Sequence, residues 1–239
     1  MKFDFAFTGN TILACLKALP VTIEIVAIVL FFSLLFGFLI AAVRQDVRQN
    51  EKRLLSRVLS LYVSFIRGTP FMVQTYLFYI AVPTVIQKII FEHKGTFNVN
   101  VIKGTWYAHV LLIFYFTAII SEMFRSGLLA IDKGQMEAAL SIGLTKLQAY
   151  KRIVIPQVTV HCLPVLCTYV TGLVKMSSLA FTFGVMEITA VAKNSAARNL
   201  AYVEAYSVIA ILYIVLNLSI EGLFKYIEHC VHQSVPNAA

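Results

Sequence analysis

The sequence predicts an all-α polytopic membrane protein: about five transmembrane helices in a single domain over residues 1–239, with one structured cytoplasmic loop. Three observations predict it. Hydrophobic residues make up 59% of the chain and the mean hydropathy is +0.79, well above soluble globular domains. The apolar residues gather into runs at about 20–43, 54–82, 105–124, 156–174 and 203–224, and roughly 20 such residues cross a bilayer core. Charge is scarce, at 13% of residues, yet Arg125, Asp132, Lys133, Glu137, Lys146, Lys151 and Arg152 crowd into residues 125–155.

Residues 1–19 carry Asp4 and Lys17, lack a continuous apolar core and run into Pro20, so they do not read as a cleaved leader. In the first span, Ser33, Gly37 and Ala41 form a small-residue face suited to close helix packing. Glu24 falls near its outer, interfacial end. The second span contains Arg67, which a perpendicular helix places roughly 20 Å deep at ~1.5 Å per residue. Pro70 follows and frees backbone carbonyls at that depth. Transporters place substrate contacts at such breaks, which makes Arg67, with Thr69 and Gln74 beside it, a candidate for the translocation pathway. The competing reading is that Arg67 caps the broken helix or pairs structurally. The third span ends near Glu122, with Arg125 one turn on, the spacing of a local ion pair. The same depth count puts Glu122 and Arg67 at different levels.

The loop at 125–155 has its own grammar. Asp132 with Gln135 has capping-box spacing and opens a helix over 135–142. Gly143 stops or kinks it. Thr145 with Gln148 repeats the capping-box spacing and opens a second short helix, and Pro156 suits the first turn of the next span. Glu137 falls in the first helical turn on this reading. Ala138, Ala139, Ile142, Leu144 and Leu147 are too few and small to build a domain; they suit a groove in a partner. Further on, Leu179–Ala192 is an apolar run of about 14 residues, re-entrant or interfacial by length. Lys175, Ser177 and Ser178 precede it and either line the pathway or cap the helix end.

Lys and Arg orient the spans. Arg44, Arg48, Lys52, Arg53, Arg57, then Arg125, Lys133, Lys146, Lys151, Arg152, then Lys225 fall on one side of a five-span arrangement. Lys2, Lys17, Lys88, Lys94, Lys103, Lys175, Lys193 and Arg198 fall on the other. The bias is sharpest in the short loops, so the first side is cytoplasmic and the N-terminus faces out. The net charge of +8 then belongs to membrane topology, and nucleic-acid binding is excluded for want of a soluble basic groove. Cys15, Cys162, Cys167 and Cys230 form no metal or disulfide pattern and read as small buried hydrophobes. His93, His109, His161, His229 and His232 are dispersed with no HExxH spacing, which leaves no metal site and no catalytic residues. A self-contained channel or secondary transporter remains the rival class, but it calls for internal repeats that the sequence does not show.

The stretch Lys133-Gly134-Gln135-Met136-Glu137-Ala138-Ala139, then Gly143, then Ile155-Pro156-Gln157, resembles the signature loop of ABC importer permeases, in their polar amino acid uptake branch. Arg67-Gly68-Thr69-Pro70 is similar to that branch's second-span motif. Lys175-Met176-Ser177-Ser178-Leu179 resembles its Lys-Asp-Thr-Ser-Leu stretch, with Met176 and Ser177 departing, and Thr168 stands where the branch usually has Asn. The resemblance implies a permease subunit in a bacterial cell membrane, paired with a second permease as homodimer or heterodimer. Its loop is a coupling helix, with Glu137, Ala138, Ala139, Gly143 and Leu144 engaging a separate ATP-binding subunit. An extracytoplasmic amino acid-binding protein delivers the substrate. ATP and Mg belong to the partner; this chain lacks a phosphate-binding Gly-x-x-x-x-Gly-Lys-Ser/Thr loop, binds no cofactor and meets only membrane lipid besides these proteins.

Overall fold

Asp4 starts the first helix: its carboxylate accepts from Phe7 N–H at 2.9 Å, and α1 then runs from Phe5 to Gln45. The structure, a computed structural model, describes residues 3–45, 53–93 and 102–234. Lys2, Arg48, Lys52 and Lys94 of the charge pattern lie outside the described residues. After α1 come α2 (Arg53–Gly68), α3 (Phe71–Glu92), α4 (Gly104–Ala130), α5 (Lys133–Ser141) and α6 (Lys146–Ala149). A π-helical turn, Tyr150–Val154, leads into α7 (Ile155–Ser177), and a 3-10 turn, Ser178–Phe183, follows. The chain then forms α8 (Ile188–Asn199) and α9 (Tyr202–Ser234). Among the described residues, five stretches are long and apolar enough to span a membrane: Phe5–Arg44, Phe71–Glu92, Gly104–Ala130, Lys146–Phe183 and Tyr202–Val231.

Five spans agree with the sequence reading, and the bounds differ for identifiable reasons. The first helix begins well before Pro20 and continues through it. Phe7, Ile12, Cys15 and Leu19 pack with Ile188, Ala192, Ala205 and Val208, and that contact supports the helix ahead of Pro20. The predicted second span, 54–82, is two helices. Its first part, α2, is amphipathic, and only α3 has the character of a span. The third helix runs on to Ala130, into the predicted loop. The fourth does not restart at Pro156: α6, the π turn and α7 form one continuous helix. A proline inside a helix leaves one carbonyl unbonded and crowds it, and the preceding π turn takes up that misfit. The run 179–192 makes no full crossing; it is the 3-10 turn, a tight bend and the start of α8.

α1 and α4 run parallel. Ser33 Oγ donates to Ile113 O at 3.4 Å, Gly37 faces Ile120 and Ser121, and Arg44 reaches Glu122, so both registers rise together. A Cβ at Gly37 would sit 2.9 Å from Ile120 Cγ2 and 3.1 Å from Ser121 N, so the glycine sets how closely these helices approach. Ser33 and Ala41, the other members of that small-residue face, are buried. α7 runs antiparallel to α4: Cys162 Sγ meets Met123 O at 3.6 Å, while Phe183 lies beside Gly104. α3 also returns against α4, with Phe71 on Tyr115 and Tyr79 on Phe183. The main core gathers Ile25 and Val29 of α1, Leu111, Phe116 and Ile120 of α4, and Val158, Cys162 and Leu173 of α7. Of the cysteines, Cys15 and Cys162 are buried as read; Cys167 is half-buried and Cys230 is exposed.

Candidate functional site

The loop between α4 and α7 is built to hold one shape. Asp132 accepts from Gly134 N–H at 2.7 Å and caps α5 alone, without the reciprocal Gln135 contact its spacing suggested. At the other end, Gly143 N–H donates to Leu140 O at 3.0 Å and Leu144 N–H to Ala139 O at 3.2 Å. That pair is a Schellman cap, and it needs a left-handed residue at Gly143, whose φ is 83°. An L side chain there costs about 1 kcal/mol. Thr145 and Gln148 form the predicted capping box, at 2.9 and 3.3 Å. The loop is anchored from below by Met136 against the main core and by buried Ala139 and Ala149.

Its outer surface carries large apolar side chains among polar ones. Ile142 is 77% and Leu147 78% exposed, with Leu140 and Tyr150 partly so. Ala138, Glu137 and Gly143 are exposed, and Leu144 is half-buried. Ala139 faces inward at 1% exposure, so it supports the loop and offers nothing to a partner. Glu137 is the fifth residue of α5, in its second turn, which removes the first-turn dipole contribution assigned to it.

The break between α2 and α3 is held mainly by Gln74. Its buried Nε2 donates to Ile66 O at 2.9 Å, Thr69 O at 3.1 Å and Thr69 Oγ1 at 2.6 Å. Thr69 Oγ1 in turn donates to Phe65 O at 2.9 Å. Ile66 O is the carbonyl that the missing N–H of Pro70 leaves without a helical partner. Both side chains therefore direct their hydrogen bonds to the break itself.

Arg67 and Glu122 are level after all. Arg67 Nη1 stands 4.0 Å from Glu122 Oε1. The depth count failed because it treated α2 as part of a perpendicular span. Glu122 is the hub of a wider cluster: Arg44 Nη1 donates to its Oε2 at 2.8 Å, and Arg125 donates to its Oε1 through Nε and Nη2. Arg44 Nε also reaches Ser60 Oγ at 3.2 Å. One carboxylate thus ties α1, α2 and α4 together. Arg67 is its most exposed partner, at 56%.

Lys175, Ser177 and Ser178 sit at the far end of α7, away from Glu122. Ser177 Oγ donates to Val174 O and Ser178 Oγ to Lys175 O, both at 2.7 Å, so the hydroxyls serve their own helix while Lys175 is exposed. Glu187 was not anticipated. It is fully buried, caps α8 by accepting from Thr189 and Ala190 N–H at 2.8 Å, and accepts from Tyr213 OH at 3.1 Å. Burial pushes its carboxyl up from the ordinary value, and these hydrogen bonds oppose the shift. The signal for it was a lone acid in the turn Gly184–Glu187 ahead of a helix. Among the described residues, no three His, Cys, Asp or Glu side chains gather as a metal site.

Residues 33–233 match the family model described as binding-protein-dependent transport system inner membrane component. The chain is 35% identical to the probable amino-acid permease protein YxeN of Bacillus subtilis (strain 168), over 90% of each chain. It is 31% identical to the L-cystine transport system permease protein TcyL of the same organism, over 95% of this chain and 90% of that one. A crystal structure of an amino acid ABC transporter with histidines superposes with a TM-score of 0.79 and 26% identity, covering 96% of this chain and 99% of that one. The MetNI methionine ABC transporter, at 19% identity and a TM-score of 0.68, shares the fold.

Proposed function

The chain belongs to the family of binding-protein-dependent transport system inner membrane components, and on that premise we propose that it is the permease subunit of an ATP-driven importer for a polar amino acid. The reading adds a second permease subunit, an extracytoplasmic binding protein that delivers the amino acid, and a separate subunit that binds ATP and Mg. It places the chain in a bacterial cell membrane with the N-terminus outside. Supporting it are the named amino-acid permeases among its relatives and the likeness to an amino acid ABC transporter.

The observation that carries the reading is the α5–α6 loop, which is fixed at both ends and exposes large apolar side chains. Ile142 and Leu147 have no reason to face water unless something covers them, and the loop runs without interruption into α7. Motion of a bound subunit would reach the span as a lever. Exposed Glu137, Ala138 and Gly143, with half-buried Leu144, complete the docking face, and Ala139 braces it from behind. In the membrane region, Arg67 is the candidate pathway residue, with Thr69 and Gln74 shaping its helix break. Lys175 is the candidate at the opposite end, with Ser177 and Ser178 shaping its helix.

The test is co-purification and uptake. Leu147→Asp with Ile142→Asp should leave the permease in the membrane, lose the ATPase from the purified complex and abolish amino acid uptake into vesicles. Uptake that proceeds at the wild-type rate without an ATPase sinks this reading in favour of a self-contained channel or secondary transporter.

A further inference from the structure

α2 carries two adjacent stripes, of which the transport reading uses only Arg67. Arg57, Ser60, Ser64 and Arg67 recur at helical spacing along one side, and Leu54, Val58, Leu61 and Phe65 along the next. The apolar stripe is open: Leu54 is 74% and Leu61 71% exposed, and Val58 and Phe65 exceed half. The inner face is already satisfied, with Val63 and Ile66 packed on Ala118 and Tyr62 OH donating to Phe114 O. The polar stripe is strongly positive. Arg44 joins it through Ser60, and Glu122 is shared by Arg44, Arg67 and Arg125, so cations exceed the carboxylate that faces them.

We propose that α2 lies in the membrane–water interface and binds anionic phospholipid, with headgroups on the Arg57–Ser60–Ser64–Arg67 stripe and acyl chains along Leu54, Val58, Leu61 and Phe65. An arginine stripe beside an apolar stripe is the pattern of a helix lying in that boundary. The position agrees: α2 ends at Gly68, just before Pro70 and the start of α3, and Arg67 lies beside Glu122, which also holds Arg44 in the last turn of α1. On the proposed orientation this is the cytoplasmic leaflet. A second copy of the chain is the poorer occupant. A copy seated on the apolar stripe would leave the arginine stripe beside it without an anion, which a phospholipid headgroup supplies.

The test places a photo-crosslinking amino acid at position 61 in the purified permease–ATPase complex, reconstituted in vesicles of phosphatidylcholine and phosphatidylglycerol. Mass spectrometry should show phosphatidylglycerol adducts in several-fold excess over its share of the vesicle, and Arg57→Gln, at an exposed residue, should remove most of the excess. Adducts to a second permease chain overturn the proposal. So do lipid adducts that mirror the vesicle composition, or an excess that Arg57→Gln leaves intact.

Discussion

The α5–α6 loop and the α2–α3 junction both interrupt apolar sequence with polar residues, and they are built in opposite ways. The loop is fastened at every turn: an Asp cap, a Schellman cap, a capping box and an unbroken helix beyond. The junction rests mainly on Gln74, with Thr69 beside it. The first is suited to transmit a push, the second to change angle. A transporter needs both, because a lever moves a pathway only where something else can bend.

The largest expected effect tests the lever. Gly143→Asp forces an L residue into the left-handed region and adds charge to the proposed docking face, so uptake should fall to background while membrane insertion survives. Wild-type uptake with the ATPase still bound would mean that this loop does not couple. Next comes the hub beside the junction. Glu122→Ala leaves Arg44 and Arg125 without their carboxylate; charged hydrogen bonds of this kind contribute about 2 kcal/mol each at most in a partly exposed site. The midpoint of thermal unfolding of the detergent-solubilised complex should drop by several degrees, and an unchanged midpoint would deny the cluster a structural role.

The hinge itself separates by a pair of variants. Gln74→Ala removes the bonds across the break, and Arg67→Ala removes only an exposed cation. If the junction bends during transport, Gln74→Ala changes the maximal rate of uptake, while Arg67→Ala changes the substrate concentration needed for half that rate. Equal effects on both parameters would remove the distinction. The smallest effect belongs to Glu137→Ala. An exposed carboxylate in the second turn contributes roughly 0–1 kcal/mol to docking, so ATPase binding should weaken no more than about fivefold in a pull-down titration. A complete loss would show that Glu137 anchors the partner.

The spans were legible because length and composition suffice to name a crossing, and Gly143 because a glycine between two helix signals has a physical job. The split of 54–82 was harder to read. Leu54, Val58, Leu61 and Phe65 are apolar because they face outward, while Val63 and Ile66 are apolar because they pack, and a hydropathy sum merges the two. Projecting Arg57, Ser60, Ser64 and Arg67 onto a helix would have shown the polar side. The Arg67–Glu122 contact followed the same error, since it needs a slanted α2. Ala139 was misplaced because the sequence shows that a loop is amphipathic but not which small residue turns inward. Glu187 escaped because its role lies in a cap and a Tyr213 contact 26 residues away.

The π turn at Tyr150–Val154 has a consequence of phase. One extra residue in a helix rotates everything before it by about 100° relative to everything after it. Leu147 therefore points where it does because of the five-residue turn that follows it. Deleting one of them would restore a regular helix and swing the docking face around the axis while leaving each of its own side chains intact. The azimuth of the lever is stored in the helix that carries it.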